Sequence, residues 1–179
     1  MSKIGRKPIH VETVEIEIKG QEVHYKGSKH SGVYLIPDSL NIDFSDSIIK
    51  LTPKDPAASD TNMIWGLHRA LLSNKIEGAH KGFEKEIHIV GLGYKAIKKA
   101  GGLEFALGFS HKIDFAIPEG IDIDVNKTGQ KLIVKSHDKE LLGLVCSKIC
   151  DLKPVEPYKG KGIYRVGDII RRKAGKARV

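Results

Sequence analysis

The sequence is poor in cysteine and has no long apolar run. Cys146 and Cys150 are the only cysteines among 179 residues, which is too few for a secreted disulfide framework. No apolar run approaches the roughly 20 residues that a membrane-spanning helix needs. The N-terminal segment also lacks the apolar stretch of a secretory signal. These absences predict a cytosolic protein without a membrane span.

Residue patterns that support catalysis or metal binding are also missing. The eight histidines show no HExxH-like spacing, and there is no Walker loop, paired carboxylate or Ser/His/Asp set. Cys146 and Cys150 lie four residues apart on a predicted helix, where they are either half a metal site or small buried hydrophobic residues. With no third cysteine, burial is favoured. The sequence therefore predicts no enzyme, metal or cofactor.

One glycine motif, "IVGLGYKA" at residues 89–96, has the spacing of a dinucleotide-binding turn. That fold needs a helix of several turns directly after the glycines. Here Gly101 and Gly102 follow soon after Gly93, and an alternating strand comes next. We therefore predict a hairpin turn at Gly101 and Gly102, and a bulge or close backbone approach within the sheet at Gly91 and Gly93.

Positive charge is in excess, and it is concentrated at one end. The net charge is +8 and the pI about 9.4. Residues 155–179 carry eight basic and two acidic side chains, whereas residues 1–82 carry eleven basic and ten acidic ones. This distribution predicts a flexible basic C-terminal tail that binds an anionic partner such as nucleic acid, because each neutralised phosphate releases counterions. A solvated, frayed terminus is the alternative.

Apolar periodicity predicts two similar halves. Each half begins with alternating, strand-like runs and ends with one helical stripe. In the first helix the stripe is Ile64, Leu67, Leu71 and Leu72, with Ser59 or Asp60 at the start and Gly78 at the end. In the second it is Leu142, Val145, Ile149 and Leu152, with Ser136 or Asp138 at the start and Pro154 at the end.

The two halves also match residue by residue. "IPDSLNID" at residues 36–43 aligns without a gap on "IPEGIDID" at residues 117–124. We predict an α+β protein of two tandem similar domains, residues 1–82 and 83–179. Each domain is a mainly antiparallel β-sheet packed against one α-helix, and the basic tail follows the second.

The segment "EPYKGKGIYRVGDIIRRKAGK" at residues 156–176 closely resembles the C-terminal signature of a known family, the bacterial-type sixth protein of the large ribosomal subunit. "MSKIGRKPI" at the start, "GFEKEIHIVGLGYKA" at 82–96 and "LGFSHKIDFAIPEGI" at 107–121 resemble further segments of that family. The similarity covers nearly the whole chain. Tyr164 and Arg165 stand in the reverse of the family's Arg-Tyr order, so Arg165 keeps the charge but its side chain starts from the neighbouring position.

This resemblance implies a structural, non-catalytic protein of the cytoplasmic ribosome. It implies binding to large-subunit ribosomal RNA, near the stalk base and the translation-factor binding region, with neighbouring large-subunit proteins as further partners. Direct contact with elongation factors is left open, and no membrane or small-molecule substrate is expected. The expected RNA-binding residues are Tyr158, Lys159, Gly160, Lys161, Gly162, Arg165, Arg171, Arg172, Lys173, Lys176 and Arg178, with Lys95, Lys98, Lys99, His111 and Lys112 in a second region.

Simple physical roles suit these residues. Lys159 and Lys161 alternate with glycines, so the backbone can approach phosphates while both ammonium groups reach oxygens. Tyr158 either stacks on a base or packs under the loop. The lysines of the predicted hairpin either bind RNA or protect a solvated sheet edge. A free-standing RNA-binding module and a dinucleotide enzyme are the competing functions.

Overall fold

The computed structural model describes residues 2–11, 13–55 and 60–175. The chain divides into two compact units. Unit 1 comprises Met1–Gly82 together with His137–Lys139, and unit 2 comprises Phe83–Ser136 and Glu140–Val179. In the described residues each unit contains antiparallel sheets and one α-helix, which confirms the predicted α+β fold class.

Unit 1 contains two three-stranded sheets and one long helix. Its elements are β1 (Ile9–His10), β2 (Glu15–Lys19), β3 (Glu22–Lys26), β4 (Ser31–Leu35), β5 (Leu40–Ser45), β6 (Ile48–Pro53) and α1 (Thr61–His80). The strand orders are β1-β6-β5 and β2-β3-β4, and all pairs are antiparallel. The predicted strands of this half are thus confirmed, while the short β1 was not predicted.

Helix α1 differs from its prediction in its end and in its buried face. It continues through Gly78, which is buried, and ends at His80. Gly82 (φ +73°) then leaves the helical conformation, where glycine has no steric penalty. The buried face carries Trp65, Leu72, Ile76 and Ala79, whereas Leu67 of the predicted stripe is exposed.

Unit 2 contains a four-stranded and a three-stranded sheet. Its elements are β7 (Phe83–Val90), β8 (Lys95–Lys99), β9 (Gly102–Ala106), β10 (Ile113–Ala116), β11 (Ile121–Val125), β12 (Lys131–Ser136), α2 (Lys139–Asp151) and β13 (Gly162–Arg165). The strand orders are β11-β12-β7-β13 and β10-β9-β8. Its core combines Ile87, Phe105 and Leu132 of the sheets with Val145 and Ile149 of α2.

The glycine motif forms a turn between β7 and β8. The Tyr94 N–H donates to the Gly91 carbonyl at 3.2 Å, and Gly93 has φ +74°. The predicted bulge or close backbone approach inside the sheet is therefore wrong, because Gly91 and Gly93 lie in the turn and not in a strand. Strands β8 and β9 pair as an antiparallel hairpin with Gly101 at φ +83°, which confirms the predicted hairpin in place of a dinucleotide-binding helix.

The two cysteines lie in the core region of unit 2. Cys146 is buried and Cys150 is half-buried, and burial raises the pKa of both thiols. Both belong to the hydrophobic cluster or pack against it, in agreement with their interpretation as small hydrophobic residues. Among the described residues, no group of three or more His, Cys, Asp or Glu side chains is arranged to hold a metal ion, and no helix is long and apolar enough to cross a membrane.

Strand β13 was not predicted, and it changes the description of the basic tail. It pairs antiparallel with β7, with Ile163 opposite Ile89. Ile163 is buried in the core of unit 2. The segment from residue 155 onwards is therefore not one flexible tail, because a core strand separates the loop before it from the residues that follow.

Candidate nucleic-acid interface

The loop before β13 is closed by its own backbone. The Glu156 N–H donates to the Lys161 carbonyl at 2.8 Å, and the Gly160 N–H donates to the Glu156 carbonyl at 3.0 Å. Gly160 has φ +69°, which a residue with a Cβ rarely adopts. The loop is thus a defined turn that presents Lys159, which is exposed, and Lys161, which is half-buried. Tyr158 is 55% exposed and therefore does not pack under the loop.

The residues after β13 return to this loop. The Lys173 N–H donates to the Pro157 carbonyl at 2.8 Å. The Arg172 guanidinium lies against Gly160, where an added Cβ would be 3.0 Å from Nη2 of Arg172. Loop and tail therefore form one surface, which we call the tail–loop surface and define by Tyr158, Lys159, Lys161, Arg171, Arg172 and Lys173.

In the part of the chain that the structure describes, the cations of the tail–loop surface have no carboxylate partner. Within residues 2–11, 13–55 and 60–175, none of its five basic side chains forms an ion pair, although lysines elsewhere do, such as Lys135 with Asp124 at 2.9 Å. Arg171, Arg172 and Lys173 are all exposed. Their charges are thus available to an external anion.

Three lysines of the second predicted RNA-binding region, Lys98, Lys99 and Lys112, are different, because carboxylates already neutralise them. Lys99 and Lys112 both contact the Glu104 carboxylate, the latter at 2.8 Å, and Lys99 also lies 3.7 Å from Asp114. Lys98 pairs with Asp122 at 3.5 Å and donates to the Ile123 carbonyl at 2.7 Å. We call these residues the paired lysine cluster; its members are Lys98, Lys99, Lys112, Glu104, Asp114 and Asp122, and its formal charge is zero.

Arg165 contacts helix α2. Its Nη2 donates to Ser147 Oγ at 2.9 Å. The Nε atom is buried and has no hydrogen-bond partner among the described residues. The side chain thus joins β13 to α2, a structural role that the sequence pattern did not predict.

The remaining predicted residues are placed as follows. Lys95 is exposed on β8, and His111 is exposed beside the ring of Phe109. Gly162 opens β13, with φ +142°. Lys176 and Arg178 lie outside the described residues.

Comparison with known proteins identifies the family. The profile of the family described as Ribosomal protein L6 matches residues 90–165. The large ribosomal subunit protein uL6 of Methylorubrum extorquens (strain PA1) is 38% identical over 177 residues, covering 98% of this chain and 99% of that protein. The proteins of the same name from Bifidobacterium animalis subsp. lactis (strain AD011) and Moorella thermoacetica are 42% and 40% identical, over 98% of this chain in both cases and over 98% and 96% of their own lengths.

This chain belongs to the ribosomal protein L6 family. The profile match runs from the last residue of β7 to the last residue of β13, and it includes the closed loop with Lys159 and Lys161. It ends before Arg171, so the tail half of the tail–loop surface lies beyond the matched segment. The similarity to the L6 relatives extends over the rest of the chain.

Sequence reasoning missed Glu104, the central residue of the paired lysine cluster. The alternation of Leu103, Glu104 and Phe105 does indicate that Glu104 faces away from the core. Its register partners are Ile97 on β8 and Asp114 on β10, so it lies on the middle strand between Lys99 and Lys112. Strand order was the missing information, because the contact depends on which strand is central.

The paired lysine cluster predicts a specific pH dependence of stability. Hydrogen bonds from Lys112 and then Lys99 lower the pKa of Glu104 from its ordinary value of 4.5. A carboxyl group whose pKa is lower in the folded than in the unfolded chain stabilises the folded state at pH values above its unfolded pKa. This contribution is lost as the pH falls through the pKa of the folded chain. We therefore expect Glu104→Gln to reduce the loss of unfolding free energy as the pH falls below 4.5, measured by urea titration at a series of pH values.

Glu15→Gln is the matched control in unit 1. Its carboxylate is 3.5 Å from Lys26 and the pair is largely exposed, with the Glu15 side chain 82% accessible, whereas that of Glu104 is only 10% accessible. Exposed pairs contribute little to stability. If both substitutions reduced the loss of unfolding free energy at acidic pH by the same amount, a special role for Glu104 would be contradicted.

Proposed function

We propose that this chain binds large-subunit ribosomal RNA through the tail–loop surface, as a structural component of the large ribosomal subunit. Its role is not enzymatic, and its site of action is the ribosome in the cytoplasm. The observation that carries the proposal is that five cations without internal partners in the described part of the chain lie on one surface next to a core strand. Membership of the L6 family supports the same conclusion.

Each part of the tail–loop surface has a role in binding phosphate. Lys159 extends from a closed turn, so little backbone entropy is lost when its ammonium group contacts an oxygen. Arg171 and Arg172 provide planar guanidinium groups that bind phosphate in a bidentate manner. Specificity should come from RNA shape and 2′-hydroxyl groups, because A-form RNA hides its base edges in a deep, narrow groove.

We further propose a position near the stalk base and the translation-factor binding region, with neighbouring large-subunit proteins as partners. Translation elongation factors are candidates for a direct contact at this position. Cross-linking from the tail–loop surface in intact large subunits, with the RNA sites read by sequencing, tests this position. Cross-links confined to RNA remote from the stalk base would contradict it.

Removing the two loop lysines should weaken RNA binding and its salt dependence together. Each phosphate contact contributes about 0.7 to 0.9 to the slope of log K against log salt. We therefore expect Lys159→Ala with Lys161→Ala to lower the slope by about 1.4 to 1.8. Filter binding of large-subunit ribosomal RNA over a series of salt concentrations measures this change.

A control with the same loss of charge is available in unit 1. Lys19→Ala with Lys26→Ala removes two exposed lysines that pair with Glu17 and Glu15. We expect this variant to keep the wild-type slope, because unit 1 lies outside the proposed surface. Equal losses in both double variants would indicate a general charge effect and would contradict the tail–loop surface as the binding site.

A further inference from the structure

Phe109 is a phenylalanine that the fold leaves outside the core. It lies between β9 and β10 and is 43% exposed. The other phenylalanines of unit 2, at positions 83, 105 and 115, belong to the core cluster or pack against it. Burying such a side chain fully stabilises a fold, and Phe109 forgoes much of this stabilisation.

Two cationic or titratable side chains surround the exposed ring. The Lys153 Nζ lies 4.3 Å from the ring centroid of Phe109. The His111 ring is nearly parallel to it, with centroids 6.3 Å apart and planes inclined by 24°. An exposed cation–π contact is weaker than full burial of an aromatic ring, so it does not offset the lost burial.

This group is connected to the tail–loop surface by the backbone. The Lys153 carbonyl accepts a hydrogen bond from the Ile163 N–H at 2.9 Å. Ile163 is buried on β13, so the backbone of Lys153 is fixed at the end of the loop that carries Lys159 and Lys161. The ring of Phe109 therefore lies beside the base of the proposed phosphate-binding loop.

We propose that Phe109, His111 and Lys153 form a stacking platform for an unpaired nucleobase of the bound RNA. Proteins that hold single-stranded RNA combine exposed aromatic rings with cations that contact the backbone. Here Phe109 and His111 provide nearly parallel rings, and Lys153 provides the adjacent positive charge. The inference depends on the proposed RNA-binding function, and it adds a base-stacking site whose central ring, that of Phe109, is uncharged.

Removing the ring should weaken binding without changing its salt dependence. Stacking of one base on an aromatic side chain contributes about 1 to 3 kcal/mol, which corresponds to a loss of about 5- to 150-fold. We expect this loss for Phe109→Ala in the full chain, measured with large-subunit ribosomal RNA, while the slope of log K against log salt stays as in wild type. Phe109→Leu should be similarly weak because it keeps apolar bulk but has no ring, and Phe109→Tyr should restore binding.

Phe44→Ala is the matched control, because Phe44 is 46% exposed and lies in unit 1. It should bind RNA as wild type does. A second probe is a fully base-paired RNA duplex. Phe109→Ala should not change binding to this duplex, because the bases of the duplex are already stacked in the helix. Thermal melting of each variant establishes that the fold is retained.

The outcomes separate this inference from the function on which it depends. If Phe109→Ala and Phe109→Leu bind like wild type while the Lys159, Lys161 double variant is weakened, the platform is wrong and RNA binding by the tail–loop surface stands. An equal loss on the duplex would also overturn the platform, because it would indicate contact with ribose or backbone. If the wild-type chain does not bind the RNA, both proposals are overturned.

Discussion

Gly162→Ala is expected to destabilise unit 2 by about 2 to 6 kcal/mol. Gly162 has φ +142°, and an added Cβ would lie 2.7 Å from the Pro154 carbonyl oxygen and 2.7 Å from the Val155 Cα. Both neighbours are backbone atoms, so they cannot move as a flexible side chain can. Backbone strain and overpacking each contribute about 1 to 3 kcal/mol. The total stability of a domain is about 5 to 15 kcal/mol, so the expected loss is a large part of it.

The matched control, Gly143→Ala, should increase stability instead of decreasing it. Gly143 lies within α2, and an added Cβ there would meet no atom within 4 Å. Alanine in a helix is favoured over glycine, so we expect a gain of about 0.5 to 1 kcal/mol. Both changes replace a glycine of unit 2 by alanine, which isolates the effect of position.

Probes that report on unit 2 are needed for this comparison. The single tryptophan, Trp65, lies in unit 1, so its fluorescence serves as an internal reference. Amide hydrogen exchange at the β7 and β13 pairs reports on the strand that Gly162 begins. Protection of these amides at the wild-type level in Gly162→Ala would contradict the expected strain.

Much of the fold follows from the pattern of apolar residues. Alternation in segments such as Glu15–Lys19 and Ile121–Val125 predicted strands that the structure contains. The repeat of "IPDSLNID" and "IPEGIDID" predicted two similar halves with one helix each. These features are local, because period and turn residues are determined by neighbours in the sequence.

The errors concern features that depend on distant residues. The buried face of α1 includes Trp65 and Ile76 in place of Leu67. The position of the sheet against which the helix packs determines which of its faces is buried. Strand β13 is four residues long and begins with a glycine, so its sequence has no alternation that predicts a strand. Its pairing with β7 joins segments that are far apart in the chain, such as Ile163 and Ile89.

Composition and the family signature predicted the basic segment of the candidate site, but not its internal pairing. The charge excess at residues 155–179 is a property of the sequence alone, and it marks the segment that carries the tail–loop surface. Composition could not distinguish Lys159, which has no carboxylate partner in the described part of the chain, from Lys112, which contacts Glu104. That distinction depends on which side chains the strand order brings together.

Truncation should separate the structural role of β13 from the binding role of the tail. A chain that ends at Asp168 keeps β13 and the Val166 N–H bond to the Glu86 carbonyl at 3.0 Å. It loses five cations, Arg171, Arg172, Lys173, Lys176 and Arg178. We expect this chain to fold and to bind large-subunit ribosomal RNA weakly, with a salt slope lowered by up to about 4 if all five contact phosphate.

A chain that ends at Pro154 should behave differently. It also loses β13, and with it the buried side chain of Ile163 and one of the two antiparallel partners of β7, the other being β12. Deleting a buried isoleucine side chain alone costs about 2 to 5 kcal/mol, so we expect unit 2 to unfold. Loss of RNA binding by this chain would therefore report on folding rather than on the tail.

A full-length variant with Arg171, Arg172 and Lys173 changed to glutamine is the matched control for the chain that ends at Asp168. It retains chain length and keeps the Lys173 backbone N–H that bonds the Pro157 carbonyl, but removes three charges. We expect its salt slope to fall by about 2 to 3, between wild type and the chain ending at Asp168. If the chain ending at Asp168 instead binds RNA with wild-type affinity and slope, the phosphate contacts must be made before residue 169, by the loop lysines without the tail.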